Sequence, residues 1–174
     1  MRFTTRLIEM HSASAWDFDK VMQVMDIAVE NDMTGICVHR NDFVDQLLFP
    51  TRYLGSDSES SPYSNLTKAY DRVYRAMYRF DPTRRDQPYR RGLYFRRVLH
   101  EAADRHLDVY IENKEVNYLD FLDELYPHLR KNGPVCPSEP FLLEYVAFKY
   151  RELFALYPEV AGIITSTATR ESKT

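Results

Sequence analysis

At 174 residues, with 44% hydrophobic and 28% charged side chains, the chain has the balance of a single soluble domain and can bury roughly 70% of its unfolded surface. A formal net charge of -3 argues against a nucleic-acid or membrane partner held by overall basic charge, and no run approaches the ~18 consecutive apolar residues of a membrane span. Cys37 and Cys136 lie far apart with no CxxC or Cys/His spacing, so free buried thiols are expected rather than a zinc site.

Met1 leads at once into a strand-like stretch, without the basic and apolar regions of a signal peptide, which makes cytoplasmic the default expectation. Residues 3–10 (FTTRLIEM) are predicted as the first strand, with a polar end at Glu9, His11 and Ser12. Ser14 then offers an N-cap, with Asp17 three residues on as an acidic version of the capping box. Phe18, Val21, Met22, Met25, Ala28 and Val29 recur at helical spacing while Asp19, Lys20, Gln23, Asp26 and Glu30 take the other face, which predicts an amphipathic helix of about four turns. Asn31 and Asp32 end it. Residues 34–38 (TGICV) form the second predicted strand, running into His39, Arg40, Asn41 and Asp42. Strand, helix, strand in this order predicts a right-handed parallel crossover.

Residues 43–89 leave the alternation. Pro50, Gly55, the serine-rich SDSESSP stretch, Pro82 and Pro88 punctuate a segment too long for an ordinary βα connection of about 2–6 residues. It is read as an inserted active-site loop containing a helix, because Tyr70, Val73, Tyr74, Met77 and Tyr78 repeat at helical spacing. Regular order resumes with a predicted helix over residues 93–106, a third strand over 107–111 (LDVYI) and a polar cluster of Glu112, Asn113, Lys114 and Glu115. A short helix is predicted over 118–129. Ser138 then caps an aromatic-rich helix over 141–157, which Pro158 stops before a fourth strand, Val160 to Ile164. That strand turns abruptly polar, through Thr165, Ser166, Thr167 and Thr169 to Arg170 and Glu171.

Four βα-type units predict an α/β fold in one domain spanning 1–174: a partial (β/α)8 barrel with about four parallel strands and flanking helices, or alternatively an open doubly wound sheet. No GxGxxG or Walker-type loop follows the first strand, so the usual phosphate cradle of the alternative is missing. In either architecture the C-terminal ends of parallel strands converge on one mouth. There stand Glu9 and His11, His39 and Asn41, Glu112 and Lys114, and Thr165, Thr167, Arg170 and Glu171. Carboxylates, amides and imidazoles among Tyr rings suit a polyhydroxylated ligand, with rings against the C–H faces of a sugar. Glycoside cleavage uses two carboxyl groups, for which Glu171 is the first candidate acid and Glu112 the second. Each also has a structural reading, Glu171 as a loose terminal side chain and Glu112 as a salt-bridge partner of Lys114.

Between Arg72 and Arg97 nine arginines interleave with Tyr70, Tyr74, Tyr78, Tyr89, Tyr94 and Phe95. That composition can bind phosphates and stack on bases, so a nucleic-acid or polyanion-binding protein using residues 70–97 is the alternative function. A solvated helix surface is the preferred reading of these arginines, because helical spacing spreads them around several faces. No Ser/His/Asp order and no HExxH is present, so a serine triad or zincin is unsupported.

The segment from Cys136 to Ser172, CPSEPFLLEYVAFKYRELFALYPEVAGIITSTATRES, resembles the third-helix-to-fourth-strand portion of the (β/α)8 glycoside hydrolases of the α-glucuronidase and β-hexosaminidase type. In that group a Tyr- and Phe-rich helix leads through a YPEVAG-like turn into a strand ending near a catalytic acid. The resemblance implies a hydrolase acting on an oligosaccharide or uronic-acid-bearing glycan, with Glu171 at the acid position and Glu112 and Lys114 at a sugar-contacting strand end. It implies no metal and no organic cofactor. It also implies the front half of a longer catalytic domain, whose open sheet edges would favour self-association.

Overall fold

A computed structural model describes residues 3–40, 42–48, 83–113 and 140–165. Four strands, β1 (Leu7–His11), β2 (Gly35–His39), β3 (Asp108–Glu112) and β4 (Val160–Ile164), lie side by side in the order β1-β2-β3-β4, every neighbouring pair parallel. The fold is therefore α/β with a parallel sheet, and among the described strands the order never reverses. The helices are α1 (Phe18–Glu30), α2 (Phe43–Leu47), α3 (Thr83–Asp104) and α4 (Pro140–Leu156), with a 3-10 turn at Ser12–Trp16. No described helix is long and apolar enough to cross a membrane.

The ladder register decides which side chains meet. Ile8, Ile36, Val109 and Val160 are partners across the sheet, and one row on so are Met10, Val38, Ile111 and Ile163. Strand side chains alternate between faces, so these two apolar rows share one face of β1 to β3, and a register shift opposite Val109 and Tyr110 lets Val160 and Ile163, three residues apart, both join them in β4. They join a single core with Val21, Met25 and Ala28 of α1, Phe43 and Val44 of α2, Phe95 and Val98 of α3, and Leu153 of α4. Each side chain fully buried there contributes about 1.5–3 kcal/mol. Close approach of β2 to β3 needs glycine at Gly35, where a Cβ would stand 2.3 Å from the Asp108 carbonyl oxygen.

Helix ends feed the strands by one repeated device. Asp32 and His106 have φ of 53° and 56°, the left-handed residue of a Schellman turn. Met33 N–H donates back to Ala28 O and Leu107 N–H to Ala102 O, both at 2.9 Å, as that motif requires. The chain therefore leaves α1 and α3 in the same geometry and enters β2 and β3 alike.

Several boundaries differ from the sequence expectation. The first strand starts at Leu7 rather than residue 3, because pairing begins where Arg6 N–H meets Thr34 Oγ1 at 2.8 Å and Thr34 N–H meets Arg6 O at 2.8 Å. Ser14 does not cap α1. Its hydroxyl turns back to the His11 carbonyl, and the cap is Asp17, whose carboxylate accepts from Lys20 N–H at 3.3 Å. Trp16 is thereby free to stack on Phe43 with centroids 4.7 Å apart. Within the stretch 43–89, α2 starts at once, and α3 begins at Thr83 and runs through Pro88. Proline removes one helix hydrogen bond, yet the later turns of α3 are anchored by Phe95 and Val98 in the core, so the helix continues. The predicted helices at 70–78 and 118–129 and the Ser138 cap lie outside the described residues.

A buried ion pair ties α2 to α4. Lys149 Nζ lies 3.1 Å from Asp45 Oδ2 and 3.3 Å from Oδ1, and Tyr145 O–H donates to Oδ1 at 3.0 Å. Both charged side chains are almost completely shielded, at 0% and 1% exposure. Truncating one partner of such a pair leaves a desolvated charge behind. Lys149→Met should lower the unfolding free energy by about 3–5 kcal/mol, measured by urea titration. The double variant Asp45→Asn/Lys149→Met should recover part of that loss.

Candidate functional site

The face of the sheet opposite the core carries the polar groups. In register, His11 pairs with His39 and His39 with Glu112, so three ionisable side chains form one row across β1, β2 and β3. Glu9, two residues before His11, points to the same face one row below, beside Cys37 and Tyr110. These polar residues do not merely follow the strands. They are the last rungs of the ladder, and the backbone pairing itself sets their spacing of about 4.8 Å per strand.

Their side chains converge further. The Glu9 carboxylate accepts from His39 Nδ1, His11 Nε2 lies 3.1 Å from Glu9 Oε1, and His39 Nδ1 lies 3.4 Å from Glu112 Oε2. The two imidazole rings stand 4.4 Å apart, tilted by 44°. His39 and Glu112 are only 15% and 14% exposed, whereas His11 and Glu9 are 63% and 42% exposed, so the cluster has a shielded side and an open side. Burial by itself would raise the Glu9 pKa. The His39 hydrogen bond, the nearby His11 and His39 charges and a hydrogen bond with Glu112 outweigh it and hold Glu9 below its ordinary value. The donor atoms of Glu9, His11 and His39 all lie within 4.8 Å of one another, close enough to share a metal ion.

Below this row Cys37 is a buried free thiol, as the cysteine spacing predicts. Burial, then the charges of Glu112 and Glu9, push its pKa up to about 11. The Tyr110 ring fills the neighbouring position, against Gly162, where a Cβ would come within 3.1 Å of it. Beyond Glu112, the Asn113 backbone N–H donates to Ile164 O at 2.9 Å, and its side-chain amide donates to the Tyr150 hydroxyl at 2.7 Å. These bonds tie the ends of β3 and β4 to each other and to the middle of α4.

Of the residues selected from sequence, Glu9, His11, His39 and Glu112 are brought together. Thr165 is exposed just past β4, and no contact joins it to the cluster among the described residues. Asn41, Lys114, Thr167, Arg170 and Glu171 lie outside the described residues. Among the described residues Glu112 meets His39 and Glu9, and Lys114, the partner expected from sequence, lies outside them. Spacing along the chain could not show that Glu9, His11 and His39 share one set of donor atoms, because two of them come from one strand and the third from its neighbour. The same is true of Tyr110 and Cys37, whose shared row is a property of the register alone.

The arginine-rich stretch is used differently along α3. Arg97 lies over Phe18 at 3.8 Å, Arg96 over Tyr157 at 4.9 Å and Arg91 over Trp16 at 5.2 Å. These guanidinium groups cover aromatic side chains of the chain's own helical layer.

Comparison with protein families, with curated proteins and with solved structures found no match. The site is therefore argued from its own chemistry.

The thiolate is the reactive form of cysteine. In a Cys136→Ser background, Cys37 should react with iodoacetamide at pH 8 about 100-fold more slowly in the folded chain than after unfolding in urea. The same shift makes stability fall with rising pH. Unfolded Cys37 loses its proton near the ordinary value of 9.0, while the folded thiol keeps it until about 11, so the unfolded state gains across that window and the loss levels off above it. Cys37→Ala should flatten this part of a urea-midpoint-against-pH curve.

Proposed function

We propose that the chain belongs to a carbohydrate-active hydrolase of the glycosidase type, acting on an oligosaccharide or a uronic-acid-bearing glycan, with β1 to β4 as four consecutive strands of a (β/α)8 barrel. One observation carries this reading most strongly: the His11–His39–Glu112 row, with Glu9, at the C-terminal ends of sequential parallel strands and on the face away from the helical layer. In a closed barrel that face points inward and those ends open at the catalytic mouth. Sequential strand order favours the barrel over a doubly wound sheet, whose order reverses at its binding crevice.

The groups at this mouth fit a polyol. Carboxylates accept hydroxyl protons, imidazoles donate or accept according to tautomer, and the Tyr110 ring offers a flat surface for C–H faces. Glu9 and Glu112 both approach Nδ1 of His39. A pair drawn together on one imidazole does not fit the carboxylates of a glycosidase, which stand about 5–9.5 Å apart on either side of the scissile bond. In this reading the cluster grips hydroxyl groups, and Glu171 is the acid that protonates the leaving oxygen. Arg91, Arg96 and Arg97, engaged over rings of the helical layer, give the polyanion-binding alternative less support.

A panel of aryl glycosides and glucuronides, with saturation-transfer NMR for saccharide binding, tests the proposal. Saccharide binding should weaken in Glu112→Gln. Glu171→Gln should lower turnover by about 100- to 10,000-fold, the range of general acid–base catalysis, and leave binding unchanged. A folded chain that neither binds saccharides nor cleaves any glycoside would sink it.

A further inference from the structure

We infer that Glu9, His11 and His39 form a binding site for a divalent transition-metal ion of the zinc class. The inference concerns the same mouth as the hydrolase reading but does not depend on it. Two observations carry it. One donor atom from each of Glu9, His11 and His39 lies within one small sphere, all within 4.8 Å of one another. The Glu9–His11 pair also has the spacing of neighbours in a coordination shell. Ligand atoms bound at 2.0–2.2 Å around a tetrahedral zinc stand about 3.3 Å from each other. Here His11 Nε2 is 3.1 Å from Glu9 Oε1, while His39 Nδ1 is in direct hydrogen-bond contact with the same oxygen, so the His39 ring draws back from Glu9 as the ion enters between them.

The backbone supplies the preorganisation. His11 and His39 are paired rungs of the β1–β2 ladder, and Glu9 lies on the same face of β1, so no loop has to fold to gather these ligands. Two imidazoles with one carboxylate select zinc, cobalt, nickel, copper or ferrous iron over calcium and magnesium, which prefer all-oxygen shells. Three protein ligands leave a fourth position for water or a ligand oxygen, with Glu112 beside it as a second carboxylate. The ion would also counter the negative charge that Glu9 and Glu112 concentrate on this side of the sheet. Nδ1 of His39 faces the Glu9 carboxylate, so the ion takes the place of the proton that a hydrogen bond to a carboxylate requires there.

Titrating the chelator-treated full chain with zinc chloride by calorimetry, and with cobalt chloride by visible absorption, tests the site. The expected result is one ion per chain, with cobalt d–d bands of a low-coordinate site. His11→Ala and Glu9→Gln should each weaken zinc binding by about tenfold or more, and His39→Ala should do the same. His100→Ala, exposed on α3, should change nothing. His11 is mostly exposed at a strand end, so His11→Ala keeps the test decisive even where circular dichroism shows that His39→Ala does not fold. Zinc uptake that is absent from the folded chain, or equal in wild type, His11→Ala and Glu9→Gln, overturns the proposal. A chain that binds zinc but neither binds nor cleaves saccharides removes the hydrolase reading alone, and one that binds saccharides but no zinc removes this one alone.

Discussion

The in-register pairing of four parallel strands is the constraint on which everything else depends. A strand has two faces and a period of two, so a single alignment of β1 with β2 and β2 with β3 sorts every side chain at once. Ile8, Ile36, Val109, Met10, Val38 and Ile111 go to the helical layer, and Glu9, His11, His39 and Glu112 to the other face. A slip of one residue would drive the two histidines and two glutamates into the core and expose the apolar rows. Burial of the apolar rows therefore fixes the position of the polar cluster, and packing energy is what holds the site in shape.

That coupling explains where the structure tolerates buried polarity. Asp45, Lys149 and Tyr145 lie within the helical layer, and Asn113 and Tyr150 lie at its junction with the end of β3. Each makes hydrogen bonds, as buried polar groups must to avoid a desolvation penalty of about 1–3 kcal/mol or more. An apolar pair would serve α2–α4 packing at least as well in energy. A charged pair allows fewer alternative packings, and it fixes the five-residue helix α2 in addition to the packing of Phe43 and Val44 in the core. Desolvation acts in the opposite sense at Cys37, which meets the same low-dielectric surroundings as a neutral thiol and keeps its proton.

How far the sequence revealed this arrangement depends on which forces acted locally. The fourth strand, at Val160–Ile164, is bounded by Pro158 and by an abrupt change to hydroxyl residues, and its limits were legible. The parallel α/β class was legible for the same reason, since each amphipathic helix separates two short apolar runs. Ser14 misled because its hydroxyl had two outlets, the helix N-terminus or the His11 carbonyl, and the stacking of Trp16 on Phe43 favours the second. Pro88 misled because local propensity opposes a helix there, while the burial of Phe95 and Val98 seven and ten residues later outweighs it. At the first three strand ends the apolar pattern stops one residue before the ladder does, because backbone pairing is indifferent to whether the last side chain is apolar.

The last point also determines what could be seen of the site. Reading the polar residues as loop groups after the strands selects Glu9, His11, His39 and Glu112, which the register brings together, but leaves their mutual distances free. Placing His11, His39 and Glu112 on the final rungs removes that freedom, since neighbouring strands stand about 4.8 Å apart whatever side chains they carry. At that spacing groups of opposite charge attract strongly and groups of like charge cannot ignore each other. Glu9 and Glu112 meet on His39, whose Nδ1 is within reach of both carboxylates, so that two acidic groups share one face of the sheet around one imidazole. A sheet edge that ended in three alanines would fold from the same apolar rows. The chemistry at this mouth is thus separable from the fold that builds it, while its geometry is not.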